Sequence, residues 1–212
     1  MSDNSPKSFQ LQSRPVVGII GGIGAGKSSV TRAVSDLRLY VIDADAIGHQ
    51  VLNTDNVSKQ LAGLLGTQIL DDAGQIDRGR IAERVFGNTP EHTMARKQLE
   101  GVVHPAIRAE MMQQIKAAPD DADAIILDAA VMLEAGWADA CDVLVFIDTP
   151  LELRQRRVQA SRGWSPEELA RREQSQWPLE EKRKFADFTV SNSGDPQSAA
   201  QQLSRFIRGL KP

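Results

Sequence analysis

The sequence predicts an α/β fold, a three-layer sandwich in which helices cover both faces of a mostly parallel sheet. Three observations carry this. Short, nearly continuous apolar runs recur along the chain, several of them ending in an acidic residue. Stretches with helical spacing separate those runs, and a glycine-rich turn joins the first run to the first helical stretch. A strand that reads as continuously apolar is buried on both faces, as happens when crossover helices connect parallel strands.

Taken in order, residues 1–14 (MSDNSPKSFQLQSR) are polar and aperiodic and read as a flexible leader. The first part of the core spans 15–52: PVVGII is the first strand, GGIGAGKSS a loop, VTRAVSDL a helix, and Leu39 to Ile42 a second strand ending in DAD. Residues 53–118 hold no convincing strand but carry spaced apolar residues such as Ile81, Val85, Leu99, Val103, Ile107 and Met111. This interval is longer than an ordinary αβ connection and reads as a helical insertion forming one wall of a substrate cleft. The core continues over 119–150 with AIIL before Asp128 and VLVFI before Asp148 and Thr149. Residues 151–184 are rich in arginine and broken at Gly163; Ser165 as N-cap, Pro166 at N1 and Glu168 at N3 predict a helix start there. Two charged helices joined at Gly163 make a small helical lid. Residues 185–212 return to the core, with FTVSN near 188–192 as a fifth strand.

Composition narrows the function classes. The 212 residues suit one compact domain with insertions. With 25 Lys and Arg against 28 Asp and Glu, a net charge of -3 offers no broad field for a nucleic-acid polymer. A single cysteine, Cys141, excludes an intramolecular disulfide framework and a cysteine-rich metal site, and suits a reducing compartment, with cytoplasm the default. No run approaches the roughly 20 apolar residues of a membrane span, and the leader lacks a signal-peptide core. A homo-oligomer and a monomer fit the composition equally.

The sharpest chemical signal is Gly21-Gly22-Ile23-Gly24-Ala25-Gly26-Lys27-Ser28, which satisfies G-x-x-x-x-G-K-[ST] after a strand and before a helix. Glycines let the chain curl until successive backbone N–H groups converge on phosphate oxygens. Lys27 supplies a mobile cation to the β and γ phosphates and Ser28 a hydroxyl to Mg2+. A dinucleotide fingerprint fits poorly, since counting from Gly22 puts Lys27 where the last glycine belongs.

Asp43 and Asp45 follow the second strand, where ligands of open α/β sheets bind. One carboxylate there can orient an attacking hydroxyl and accept its proton, or hold the hydration shell of magnesium; the other reading for each is a helix cap. Asp128 has the look of an acidic strand end facing magnesium, and also of a turn cap. Two or three of the arginines between 154 and 172 are expected to reach nucleotide. His104 reads as a residue of the substrate wall, while His49 and His92 are too isolated for metal binding.

In combination, VVGIIGGIGAGKSSV, VIDADAIGHQVL, IDRGRIAERVF, KQLEGVVHPAIR, Glu134 after VML, and ADFTVSNSG resemble the dephospho-coenzyme A kinase family, P-loop kinases related to the nucleoside-monophosphate kinases. The resemblance covers nearly all of residues 16–206. It implies a P-loop NTPase core, and transfer of the ATP γ-phosphoryl group to the ribose 3'-hydroxyl of dephospho-coenzyme A, with ATP as donor and Mg2+ as cofactor. It implies further that Gly22, Ile23, Gly24, Ala25, Gly26, Lys27, Ser28 and Ser29 hold ATP together with Arg157, and that Asp45 is the catalytic base beside Lys27. Ser28 and Asp45 are then the metal-side residues, His104, Arg108 and Glu134 the coenzyme side, and Arg172 a lid residue. The chain departs from the family pattern at Ile20, at Ala130 to Leu133, and at Ser161-Arg162-Gly163, where an arginine is displaced by one residue. A kinase for another small acceptor and a nucleotide-dependent binding switch are the competing readings. The chain carries no N-K-x-D guanine-recognition sequence, which weighs against a GTP switch.

Overall fold

The computed structural model describes residues 14–87 and 89–210. The leader expected over 1–14 lies outside the described residues except for Arg14, which pairs with Asp120 at 3.1 Å. The chain packs as two units, one built from the segments up to Ile42 and from Ala117 onward, the other from Asp43–Lys116.

The first unit is built around a five-stranded sheet of β1 (Val16–Gly21), β2 (Leu39–Asp43), β3 (Ala124–Asp128), β4 (Val143–Asp148) and β5 (Phe188–Ser191), in the order β2-β3-β1-β4-β5. β1 pairs in parallel with both β3 and β4, and β4 with β5. Central β1 is buried along its whole length, which is why it reads as an unbroken apolar run. Gly18 answers a packing demand in that strand: a Cβ there would lie 2.6 Å from Cys141 Sγ and from Leu144 Cδ2. Burial, with Asp142 and Asp139 adding to it, pushes the Cys141 thiol up to about 12.

Helix α1 (Lys27–Ala33) follows the glycine-rich loop, and α9 (Pro196–Gly209) packs beside it. Val30 of α1 and Ala199, Leu203 and Ile207 of α9 close one core with Val17, Ile19, Val145 and Val190 of the sheet. Asp36 ties the end of that layer to α9, accepting from Ser204 Oγ at 2.7 Å and Arg208 at 2.6 Å. Between β4 and β5 the chain forms α6 (Leu151–Arg162), α7 (Pro166–Glu173) and α8 (Leu179–Lys184). Gly163 ends α6 in the left-handed region and Ser165 Oγ accepts from Glu168 N at 3.2 Å, so this helix boundary follows its local signals.

The second unit is helical: α2 (Ala44–Leu52), α3 (Asp55–Leu65), α4 (Arg78–Val85) and α5 (Pro90–Lys116), with one antiparallel bridge between Leu70 and Ile76. It begins at Asp43, upstream of the change in composition at Asn53. Helix α5 packs against each of the other three, turning Ala95 and, at four-residue steps, Val103, Ile107 and Met111 inward. Pro105 lies inside α5 and leaves its turn one donor short. Asp77 caps α4 by accepting from Gly79 N at 2.8 Å and Arg80 N at 3.1 Å.

Candidate functional site

The glycine-rich loop lies at the carboxyl end of β1. Gly24 and Gly26 have φ of 74° and 82°, conformations that an L side chain rarely adopts. Space forbids a side chain as well, because a Cβ on Gly24 would come within 2.8 Å of Val158 Cγ1 and 2.9 Å of the Arg154 carbonyl oxygen. The loop is closed by Ala25 N donating to Gly22 O at 3.2 Å, and α1 starts with Val30 N donating to Gly26 O at 2.9 Å. Lys27, Ser28 and Ser29 therefore occupy the first turn of α1, the position at which such a loop presents them to phosphate.

Elements beyond β4 brace this loop from behind. Thr149 Oγ1, Asn192 Nδ2 and Arg157 Nη1 all donate to the Ala25 carbonyl, at 2.9, 2.8 and 3.1 Å. Arg154, 5% exposed, donates to Thr149 O at 3.3 Å and Ile23 O at 3.4 Å and pairs with Glu173. Leu179 of α8 reaches to 3.2 Å of where a Cβ on Gly22 would be.

Ser28 Oγ donates to Asp128 Oδ2 at 2.5 Å. A hydroxyl and a carboxylate brought together at the ends of α1 and β3 are the hard oxygen donors that magnesium takes from a protein when phosphate and water supply the rest. Asp128, at a strand end, is thus aimed at the loop. Among the described residues no group of three or more His, Cys, Asp or Glu side chains forms an all-protein metal cage.

The loop after β3 carries Glu134, whose Oε1 accepts from Lys182 Nζ at 2.9 Å and Trp177 N at 2.8 Å. Lys182 is 2% exposed and also donates to Gln176 Oε1 at 3.0 Å, while the second oxygen of Glu134 is buried with no hydrogen-bond partner. Arg183 of α8 pairs with Asp148 at 2.9 Å over the Phe146 ring. Before Glu134, Met132 and Leu133 are buried and the Ala130 carbonyl accepts from Lys182 Nζ at 3.5 Å.

Farther out, Arg172 donates to Glu168 at 2.7 Å and stacks over Trp164, with Arg162 over the same ring at 4.7 Å. The Arg172 hydrogen bond, with Arg171 assisting, holds the Glu168 carboxyl below its ordinary range.

In the second unit Asp43 is the helix cap, its Oδ1 accepting from Ala46 N at 3.0 Å, while Asp45 stands exposed in the first turn of α2. The two aspartates are therefore not equivalent. His104 and Arg108 lie one turn apart on a single face of α5. Burial depresses the His104 pKa, against the pull of Glu100.

Thr149 and Asn192 emerge only in three dimensions, although each stands directly after a strand, where site residues of such sheets gather.

A family model described as dephospho-CoA kinase matches residues 15–198. A dephospho-CoA kinase from Carboxydothermus hydrogenoformans is 33% identical over 199 residues, covering 93% of this chain and 95% of that protein. Another from Geobacillus kaustophilus is 34% identical over 197 residues, covering 91% and 94%. A solved structure from Thermus thermophilus matches with a TM-score of 0.78 at 30% identity, over 95% of this chain and 100% of its own.

Proposed function

The chain belongs to the dephospho-CoA kinase family, and from that premise we propose how its residues divide the ATP-dependent phosphorylation of dephospho-CoA. The loop from Gly22 to Ser29 holds the triphosphate through backbone N–H groups, with Lys27 on the β and γ phosphates. The observation that carries this reading is the 2.5 Å contact between Ser28 and Asp128 beside the loop. Those two oxygens fit magnesium, which when bound would neutralise charge on the transferring phosphoryl group.

Asp45 takes the proton of the ribose 3'-hydroxyl as that oxygen forms its bond to the γ-phosphorus and the bond to the ADP oxygen breaks. The role goes to Asp45 by the family resemblance, and Asp45 stands exposed in the first turn of α2 while Asp43 caps that helix. By the same resemblance Asp45 also stands on the metal side with Ser28. The helical insertion 53–118, through His104 and Arg108, carries the coenzyme side. Glu134 supports that side as an anchor for the segment around Trp177 and Lys182. Residues 151–184 act as the lid, Arg157 serving nucleotide and Arg172 its outer edge.

The test is an ATP and magnesium assay on dephospho-CoA, with products separated by mass and fragmentation used to place the new phosphate. Asp45→Asn is expected to lower turnover by about 10²- to 10⁴-fold with ATP affinity nearly unchanged. Near-normal turnover in that variant removes Asp45 from the base role, and phosphate found elsewhere than the 3' position refutes the acceptor assignment.

A further inference from the structure

We propose that Thr149 and Asn192 are positioning residues for phosphoryl transfer. They hold the Ala25 carbonyl of the phosphate loop so completely that Arg157 is a releasable cation, free to leave the loop for the nucleotide. The inference rests on the reading that this loop binds ATP.

The Ala25 carbonyl receives donors from Thr149 Oγ1 at 2.9 Å, Asn192 Nδ2 at 2.8 Å and Arg157 Nη1 at 3.1 Å. A carbonyl oxygen has two lone pairs, so one of these donors is surplus. Thr149 and Asn192 are 6% and 1% exposed and sit at the ends of β4 and β5. Asn192 is fixed further by its backbone N–H, which donates to Asp148 O at 2.7 Å. Its Oδ1 is buried without a hydrogen-bond partner. Turning the amide over would set that oxygen against the Ala25 carbonyl, so the orientation that donates to the loop is the one electrostatics selects.

Arg157 differs in kind. It is half-buried on the flexible stem of a long side chain, and its guanidinium lies against Gly26, 3.0 Å from where a Cβ on that glycine would be. When Arg157 turns toward a phosphate, Ala25 keeps two donors and no buried acceptor is orphaned. Arg154 shows the alternative: buried on Thr149 O, Ile23 O and Glu173, it has no surplus bond to give up. Pointing the Ala25 carbonyl away from the ligand is also what leaves neighbouring N–H groups facing it. The two fixed donors therefore shape the loop and release Arg157 at once.

The test is a double-mutant cycle, with ATP affinity measured by titration, kcat and KM by assay, and folding by melting temperature. Thr149→Val keeps the shape and removes the donor; Thr149→Ser keeps the donor. Thr149→Val is expected to weaken ATP binding about tenfold, the loss of one fixed hydrogen bond and its consequences, and Thr149→Ser about twofold at most. Arg157→Gln is expected to lower kcat/KM for ATP about tenfold in the parent and about threefold or less in the Thr149→Val background, where Arg157 is retained on Ala25 and already serves ATP less. Asn192→Asp, which sets a carboxylate oxygen against the carbonyl, provides an independent cycle with Arg157→Gln should Thr149→Val fail to fold. Additive losses, Thr149→Ser as damaging as Thr149→Val, or an Arg157→Gln variant with unchanged ATP kinetics would overturn the proposal. Loss of ATP binding by the parent chain would instead sink the underlying reading of the loop.

Discussion

Arg154 and Arg172 come from one arginine-rich stretch, and each pairs with a glutamate of α7, yet the structure uses them in opposite ways. The Arg154 side chain is 6% exposed and joins Glu173 to two carbonyls behind the phosphate loop. The Arg172 side chain is 42% exposed, bonded to Glu168 and stacked on Trp164. Charge pattern alone does not separate such residues. Burial does, because an ion pair out of water costs several kcal/mol to break on one side whereas an exposed pair is screened and adds little. The seat of the phosphate loop is over-determined, and the outer edge of α6 and α7 is held by contacts that solvent can replace.

The largest expected effect that tests this contrast is at Lys182. Lys182→Met removes the cation and leaves the half-buried Glu134 carboxylate with only Trp177 N on one oxygen and no partner on the other, buried one. A loss of about 3–5 kcal/mol is expected, read by chemical denaturation. Pairing it with Glu134→Gln removes both charges and should recover much of that loss. A single variant as stable as the parent would show that burial does not make this pair costlier to break than the exposed pairs of α7.

Next in size is Gly24→Ala. The positive φ and the contacts with Val158 and the Arg154 carbonyl oxygen act together against a methyl group, and about 2–4 kcal/mol should be lost. ATP binding should fall more than stability does, since the strain acts on the loop itself. Unchanged ATP affinity would mean that the loop relaxes at little cost and that its bracing from behind is weaker than its contacts suggest.

The parts legible in the sequence are those written in local order. The five apolar runs are the five strands: β1, β3 and β4 are buried on both faces and leave a continuous apolar signature, while the edge strands β2 and β5 are only partly buried and read as shorter, mixed runs. The glycine-rich loop, the Ser165 cap and the break at Gly163 were legible for the same reason. The brace was not, since Thr149 and Asn192 meet Ala25 from 124 and 167 residues away, and no spacing rule joins strand ends that are neighbours only in a sheet. The DAD motif was half legible: spacing left open which aspartate caps the helix, and the Asp43 contact with Ala46 N answers it. Glu134 was found by family likeness as an acid of the coenzyme side, but its pairing with Lys182 depends on a buried lysine that composition counts as one more surface charge.

The smallest effect is expected at Glu168. Its carboxylate meets Arg171 at 2.5 Å and Arg172 at 2.7 Å, both partners being largely exposed. Glu168→Gln should move the melting temperature by no more than about 2 °C near neutral pH, and added salt should shrink even that difference by screening the parent's pairs. The pH dependence has a fixed sign. The Glu168 carboxyl is held below its ordinary value of 4.5, chiefly by Arg172, so its pairs contribute above that value and are lost as acid protonates the carboxylate. Parent and variant should therefore converge as the pH falls through 4.5 and below. The variant also frees Arg171 and Arg172 from a competing carboxylate, so a modest gain in ATP affinity, about threefold at most, is the expected sign if the outer edge serves nucleotide. A fall in melting temperature as large as that of Gly24→Ala would erase the contrast between the two regions and make α7 part of the seat.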